Sequence, residues 1–104
     1  MANLLRKQPA LAVDSTPVVQ GCPLEVIQAQ AIDWGVPIDA YLLDAARAGR
    51  RYAALVYTDR SGANLDGMTI ATPPLEFVEA KAGFKLMRSL TRKDYYVITS
   101  ELSV

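Results

Sequence analysis

The chain has 104 residues, of which 51% are hydrophobic, and its eleven basic and eleven acidic residues give a formal net charge of zero. This length predicts a single domain spanning 1–104, and zero net charge excludes a whole-molecule field that would attract polyanions. Because so short a chain has little interior, we expect part of its apolar surface to contact a second copy in a homodimer. The charge is uneven: residues 1–46 carry two bases and five acids, and residues 47–93 carry nine bases and four acids.

The cysteine content and the N-terminal sequence indicate the compartment. Cys22 is the only cysteine, so no intrachain disulfide can form and nothing indicates an oxidising environment. Arg6, Lys7 and Pro9 interrupt the apolar N-terminal segment, which is not typical of a signal peptide. No apolar run approaches the roughly 20 residues that a membrane-crossing helix needs. We therefore expect a cytoplasmic protein that does not bind membranes.

Residues 1–22 hold short apolar pieces separated by Pro9, Pro17 and Gly21. Proline is tolerated at the edge of a sheet, where no ladder donor is needed. The segment is therefore predicted to be an extended arm or a set of edge strands.

Residues 23–49 have the apolar spacing of two consecutive helices. Pro23 suits the first position of a helix, and Gly35 would end it. The apolar residues on the first face are Leu24, Ile27, Ala31 and Trp34. The second stripe consists of Ile38, Tyr41, Leu42 and Ala45, and Gly49 follows it. This spacing predicts a helical hairpin in which Trp34 is buried.

Residues 50–104 are predicted to be rich in strands. "RYAALVYT" and "MTIAT" are typical of strands, and "DRSGANLDG" between them is typical of a turn. Residues 72–83 are ambiguous. Thr72 as a cap, the prolines after it and Gly83 favour a short helix, whereas the alternation of Leu75, Phe77 and Glu79 is compatible with a strand. We predict the helix and keep the strand as the alternative.

The last segment, "FKLMRSLTRKDYYVITSEL", is predicted to be a C-terminal β-hairpin. Matching the apolar faces of its two arms places Leu90 opposite Tyr96, with residues 92–94 as the loop. Lys85 would then lie opposite Glu101 as a favourable cross-strand pair. The fold class predicted from the whole sequence is α+β: a helical hairpin packed on an antiparallel sheet of three to five strands.

No catalytic constellation can be assembled from these residues. The chain contains no histidine, which excludes Ser-His-Asp and Cys-His catalysis and zinc sites built on several histidine or cysteine ligands. No glycine-rich nucleotide-binding motif occurs, and Cys22 has no identifiable base beside it. We therefore predict a protein that is not an enzyme and that carries no cofactor or metal.

One group of oxygen-bearing side chains is a candidate cation site. It consists of Asp59, Ser61, Asn64 and Asp66. The spacing does not match an EF-hand loop, and the terminal bidentate glutamate is missing. Such residues commonly form turns, which is the interpretation we prefer.

The basic residues near the C-terminus form the candidate binding surface. Its members are Lys81, Lys85, Arg88, Arg92, Lys93 and Tyr95. Cations beside an aromatic ring that can stack on a base are typical of single-strand nucleic-acid binding. A charged strand edge that discourages aggregation is the alternative interpretation.

These observations predict a non-catalytic interaction protein that acts through a protein-binding surface, as a homodimer and with an unidentified second protein. Small size and the lack of catalytic motifs are typical of accessory or inhibitor proteins of mobile elements. The alternative function is that of a small nucleic-acid-binding protein or regulator that uses the basic C-terminal hairpin.

Overall fold

The computed structural model describes residues 18–19 and 22–102. Most of the predicted N-terminal arm therefore lies outside the described residues. The elements in chain order are β1 (Val18–Val19), β2 (Cys22–Pro23), α1 (Leu24–Gln30), β3 (Ala40–Ala48), β4 (Arg51–Tyr57), β5 (Thr69–Ala71), β6 (Leu75–Lys81), β7 (Phe84–Ser89) and β8 (Tyr95–Ile98). No helix in this part of the chain is long and apolar enough to cross a membrane.

Six strands form one mixed sheet in the order β5-β4-β3-β8-β7-β6, and β1 pairs with β2 in a separate ribbon. Every neighbouring pair in the sheet is antiparallel except β3 and β8, where Ala40 lies opposite Tyr96 and Leu42 opposite Ile98. The two central strands thus come from distant parts of the sequence, and the β3–β4 and β7–β8 hairpins extend the sheet on either side.

The sheet is strongly curled. Strands β4 and β6 are four positions apart in the strand order, which in a flat sheet would separate them by about 19 Å. Instead, the N–H of Leu75, the first residue of β6, donates at 2.8 Å to the carbonyl of Arg50, the residue before β4. The sheet therefore has a concave face that encloses its own apolar cluster and an outer face that another element must cover.

Separate apolar clusters lie on these two faces. The outer face carries the cluster Val26, Ala29, Trp34, Tyr41, Leu43, Tyr57, Phe84, Leu86 and Val97, to which α1 and the loop after it contribute. The concave face carries Ala40, Leu42, Ala45, Tyr52, Ala54, Val56, Leu75, Met87 and Ile98. All members of the concave cluster come from strands of the sheet, so its burial depends on the curl.

The predicted helical hairpin is wrong, and so is the predicted number of strands. Only Leu24–Gln30 is helical, and the second predicted helix is β3, the long central strand. Its first four residues are all buried, because a central strand between two apolar layers is apolar on both sides. A bulge between Leu43 and Ala46, with Asp44 at φ 54°, places Leu42 and Ala45 on the same face. That three-residue spacing imitates a helix.

Residues 72–83 form no helix, and the alternative interpretation as a strand is the correct one for Leu75–Lys81. The Thr72 hydroxyl accepts a hydrogen bond from the Tyr52 N–H at 3.0 Å and donates to the Pro73 carbonyl at 2.8 Å. The Thr72 side chain therefore caps no helix. It connects the segment before β6 to Tyr52 of β4 by a hydrogen bond.

The C-terminal hairpin is present in a different register. Tyr96 lies opposite Met87 instead of Leu90, and the connection between β7 and β8 is longer than the predicted 92–94 loop. The four residues of β8 are apolar on both sides, so alternation does not determine which face is buried. Lys85 nevertheless forms an ion pair with Glu101 at 2.6 Å, although its register partner is Ile98.

Trp34 is buried, as predicted, with 5% of its surface exposed. It lies in the loop after α1, and its Nε1–H donates to the Ala29 carbonyl at 3.2 Å. Trp34 is therefore buried because the loop after α1 folds back over the outer face. The prediction of a helix extending to Trp34 is wrong, since α1 ends at Gln30.

Candidate binding cavity

The structure separates the predicted basic surface onto different sides of the sheet. Lys81 lies on the outer face, with its Nζ 5.6 Å from the centre of the Trp34 ring and donating to the Asp33 carbonyl at 2.8 Å. Lys85 lines a cavity on the concave side together with Met87. The side chains therefore do not form one continuous stripe.

Carboxylates lie close to most of these cations. The Arg88 Nε and Nη2 atoms both contact the Glu76 Oε2 atom at 2.8 Å, and the Arg92 Nε atom lies 4.0 Å from the same oxygen. The pKa of Arg88 is raised by hydrogen bonds with Tyr95 and Glu76. The remaining hairpin cation, Lys93, has no ion pair among the described residues.

The cavity beside Lys85, which we call the basic cavity, has a volume of about 600 Å³. It lies between the start of β6, β7 and the β3–β4 turn. Its cationic lining residues are Arg47, Arg50 and Lys85, and its apolar or aromatic ones are Tyr52, Leu75, Phe77 and Met87. Glu76 is the only carboxylate among its lining residues.

The β3–β4 turn positions the two arginines. Gly49 adopts φ 65°, a conformation that glycine reaches without the steric cost of a side chain. The Arg47 Nε–H donates to the Gly49 carbonyl at 2.9 Å, which restricts the side chain. Neither Arg47 nor Arg50 has an ion pair within the described part of the chain.

Lys85 differs from the two arginines because it already has an anionic partner. The hydrogen bond with Glu101 and the charge of that carboxylate raise the pKa of Lys85, while the positive charge of Arg47 acts in the opposite direction. Arg47 and Lys85 both line the basic cavity. The basic cavity thus has two arginines available to an incoming anion and a lysine that remains charged.

The sequence does not single out Arg47 as a site residue, and it offers Arg50 only as an extension of the basic C-terminal surface if the fold brings the two together. The segment "ARAGRR" was interpreted as the end of a helix, whereas Gly49 and Arg50 form the turn of a hairpin. Several arginines around a glycine, followed by the strand pattern "RYAALVYT", are the signal that would have supported a turn.

A second, smaller cavity of about 180 Å³ is acidic, with Asp39, Asp59 and Asp94 in its lining. Asp59 accepts hydrogen bonds from the backbone and side chain of Ser61 and from those of Asn64, at 2.8–3.0 Å. These bonds lower the pKa of Asp59. Its oxygens are thereby used in forming the turn, and no group of three or more histidine, cysteine or acidic side chains among the described residues is arranged to hold a metal ion.

Cys22 is partly buried beside the outer-face cluster. Burial, together with the negative charge of Asp66, raises the pKa of its thiol. A raised pKa decreases the thiolate fraction at neutral pH, and the thiolate is the reactive form.

Comparisons with known proteins give no match, whether with family models, curated proteins or solved structures. The function therefore has to be argued from the residues themselves.

Proposed function

We propose that the protein is a cytoplasmic, non-catalytic interaction protein that binds protein chains through the exposed edge of β6, with a second copy of itself as one partner. The observation that carries this proposal is an apolar strand edge. Among the described strands β6 pairs with β7 alone. Its first residue, Leu75, donates to the Arg50 carbonyl, and beyond it Phe77 and Val78 are 58% and 36% exposed.

An unpaired edge of this kind can accept another strand. Backbone hydrogen bonds would supply affinity, and pockets for alternate side chains would supply specificity. β6 has seven residues, whereas the opposite edge strand, β5, has three. The longer edge therefore offers more hydrogen-bonding groups and also the larger apolar side chains.

A second copy is the partner that fits this edge by symmetry. In a two-fold dimer the same patch contacts itself, so Phe77 and Val78 of both copies would be buried together. The bulge at Val78, where the register shifts between Phe77 and Glu79, limits indefinite strand stacking. A closed pair is thus favoured over a fibre.

The non-catalytic part of the proposal is supported by the raised pKa of the Cys22 thiol and by the lack of histidine in the chain. The role as an accessory or inhibitor protein of a mobile element stays a prediction, because it depends on the partner.

Nucleic-acid binding through the C-terminal hairpin is supported less well. A polyanion would have to displace Glu76 from Arg88 and Glu101 from Lys85. Each displacement costs part of the electrostatic gain that drives such binding.

The first experiment measures mass by light scattering across micromolar concentrations. The wild-type chain is expected to approach twice 11.3 kDa. Phe77→Lys should give the monomer mass, because lysine on an edge strand opposes strand addition. Leu65→Lys is the matched control: Leu65 is an apolar side chain that is 75% exposed, and it lies outside the sheet.

Circular dichroism should show the same fold for both variants. A wild-type protein that is monomeric at every concentration would remove self-association from the proposal. A dimer that persists in Phe77→Lys and dissociates in Leu65→Lys would assign the interface to the loop between β4 and β5.

The second protein partner is tested by capture from the native host after nuclease treatment. We expect one protein to be retained by the wild type and by Leu65→Lys and to be lost with Phe77→Lys. Loss of every partner on nuclease treatment would favour the nucleic-acid alternative.

A further inference from the structure

We infer that the basic cavity is a binding site for an organic oxyanion, whose carboxylate or phosphate group contacts Arg47 and Arg50 and whose apolar body packs on Tyr52, Leu75 and Met87. Arg47 near the end of β3 and Arg50 in the β3–β4 turn lie outside β6, so this inference is tested separately from self-association, although Phe77 both lines the basic cavity and lies on the proposed dimer edge.

The size of the basic cavity suits a small organic molecule. Ligand pockets commonly measure about 300–1,000 Å³ and combine an apolar lining with a few polar groups. The volume of about 600 Å³ lies within that range. The acidic cavity is smaller, at about 180 Å³, and Asp59 in its wall is engaged in turn hydrogen bonds.

Charge selects the class of ligand. Among the described residues, three cations and one carboxylate, Glu76, line the basic cavity. Lys85 is paired with Glu101, and Glu76 is held by Arg88 at 2.8 Å. Its negative charge is thereby largely compensated before a ligand arrives. Arg47 and Arg50 remain, neither of them in an ion pair with a described residue. The planar guanidinium group matches the oxygens of a carboxylate or phosphate in bidentate geometry.

The inner wall of the basic cavity indicates that the rest of the ligand, beyond its anionic group, is apolar. Tyr52, Leu75 and Met87 are 5%, 4% and 5% exposed and belong to the concave cluster. Their buried positions make this wall rigid, while Phe77 at the margin is exposed. The larger exposed apolar surface is that of Phe77, which is 58% exposed; an inorganic anion would leave it in contact with water, whereas an aromatic or aliphatic body lying on the wall would cover it.

The arginines are also partly pre-organised. The Arg47 Nε–H bond to the Gly49 carbonyl restricts the Arg47 side chain, and the Leu75 N–H bond to the Arg50 carbonyl fixes the backbone from which the Arg50 side chain extends. Side chains already restricted in the free protein lose less entropy when a ligand binds.

The test uses three naphthalene derivatives that differ in charge: 1-naphthyl phosphate, 1-naphthoate and neutral 1-naphthol. Binding to the full chain is measured by ¹H–¹⁵N NMR titration, which gives both the dissociation constant and the location. Both anions are expected to shift the amide signals of Tyr52 and Met87 and to bind at least about tenfold more tightly than 1-naphthol. A preference between the two anions identifies the phosphate or the carboxylate as the native group.

The variants Arg47→Gln and Arg50→Gln should each weaken anion binding about tenfold and leave 1-naphthol binding unchanged. Arg60→Gln and Lys93→Gln are the matched controls, since both residues are exposed cations outside the basic cavity. As a measurement that needs no variant, rising sodium chloride should weaken the binding of the anions and not that of 1-naphthol.

Three results would overturn the inference: no anion binding at millimolar probe, equal affinity for the anions and 1-naphthol, or the same loss of binding in the control variants as in the cavity variants. Shifts confined to residues outside the basic cavity would equally assign the anion to another surface.

Discussion

The two faces of the sheet are buried by different means. On the outer face, α1 and the following loop cover large side chains such as Trp34, Tyr41 and Phe84. On the concave face, the described members of the cluster all come from strands, and they include Ala40, Ala45 and Ala54. A sheet that encloses its own side chains must curl tightly, and small residues leave room for that curvature. Packing on the outer face therefore requires large side chains that fill the space between the sheet and the covering α1 and loop. Packing on the concave face requires small side chains, because the curled sheet leaves little volume there.

The largest expected effect tests the outer face. Trp34→Ala removes a buried indole and its hydrogen bond to the Ala29 carbonyl, so it should lower the free energy of unfolding by about 3–5 kcal/mol. Chemical denaturation measures this loss. Trp34→Phe, which keeps an aromatic ring, should cost less. Because Trp34 is the only tryptophan, the fluorescence of the native protein reports its burial directly. Emission typical of a solvent-exposed indole would contradict the burial of Trp34 on the outer face.

An opposite change of volume tests the concave face. Ala54→Leu adds a larger side chain at a position that is 3% exposed, beside the other small residues. We expect a loss of about 1–3 kcal/mol in unfolding free energy, because overpacking forces strained rotamers or backbone shifts.

The neighbouring residue provides the control for that change. Ala53 lies in the same strand but is exposed, so Ala53→Leu should alter stability by less than about 0.5 kcal/mol. Equal losses for the two variants in chemical denaturation would mean that the concave face is not the more tightly packed side of β4.

The strands that the sequence predicted correctly have local signals. "RYAALVYT" is β4 apart from its last residue, and the two arms of the C-terminal hairpin are β7 and β8. The β3 strand gave the opposite signal, since the bulge at Asp44 imposes helix-like spacing on a chain segment rich in alanine, leucine and arginine. Those residues favour helices, but the tertiary structure overrides such weak preferences.

The basic cavity could not be predicted for a related reason. Arg50 and Leu75 are far apart in the sequence and in the strand order, and only the curl brings them into hydrogen-bonding contact. Lys85 was selected for its charge alone. Its place beside Arg47 depends on β3 being a strand, so the error in the fold concealed the site.

The smallest expected effect concerns alkaline pH, where Tyr41 on the outer face and Tyr96 beside the concave cluster should respond differently to salt. Burial raises the pKa of Tyr41 on the outer face above its ordinary value of 10.0. Burial also raises the pKa of Tyr96, which packs against the concave cluster, and the charges of Asp94, Asp39 and Asp59 add to the increase. Charge interactions are screened by salt, whereas burial is not.

A tyrosine whose pKa is higher in the folded than in the unfolded state stabilises the fold fully below pH 10, and this contribution is lost as the pH rises through the folded-state pKa. Unfolding free energies should therefore fall above pH 10, and added salt should reduce part of that fall. Tyr96→Phe should decrease this salt dependence, while Tyr41→Phe should lessen the alkaline loss and leave its salt dependence unchanged. Urea titrations at pH 8 and above pH 10, each at low and high sodium chloride, measure both quantities. The same salt dependence in both variants would mean that the acidic side chains around Tyr96 do not contribute to the pKa of this tyrosine.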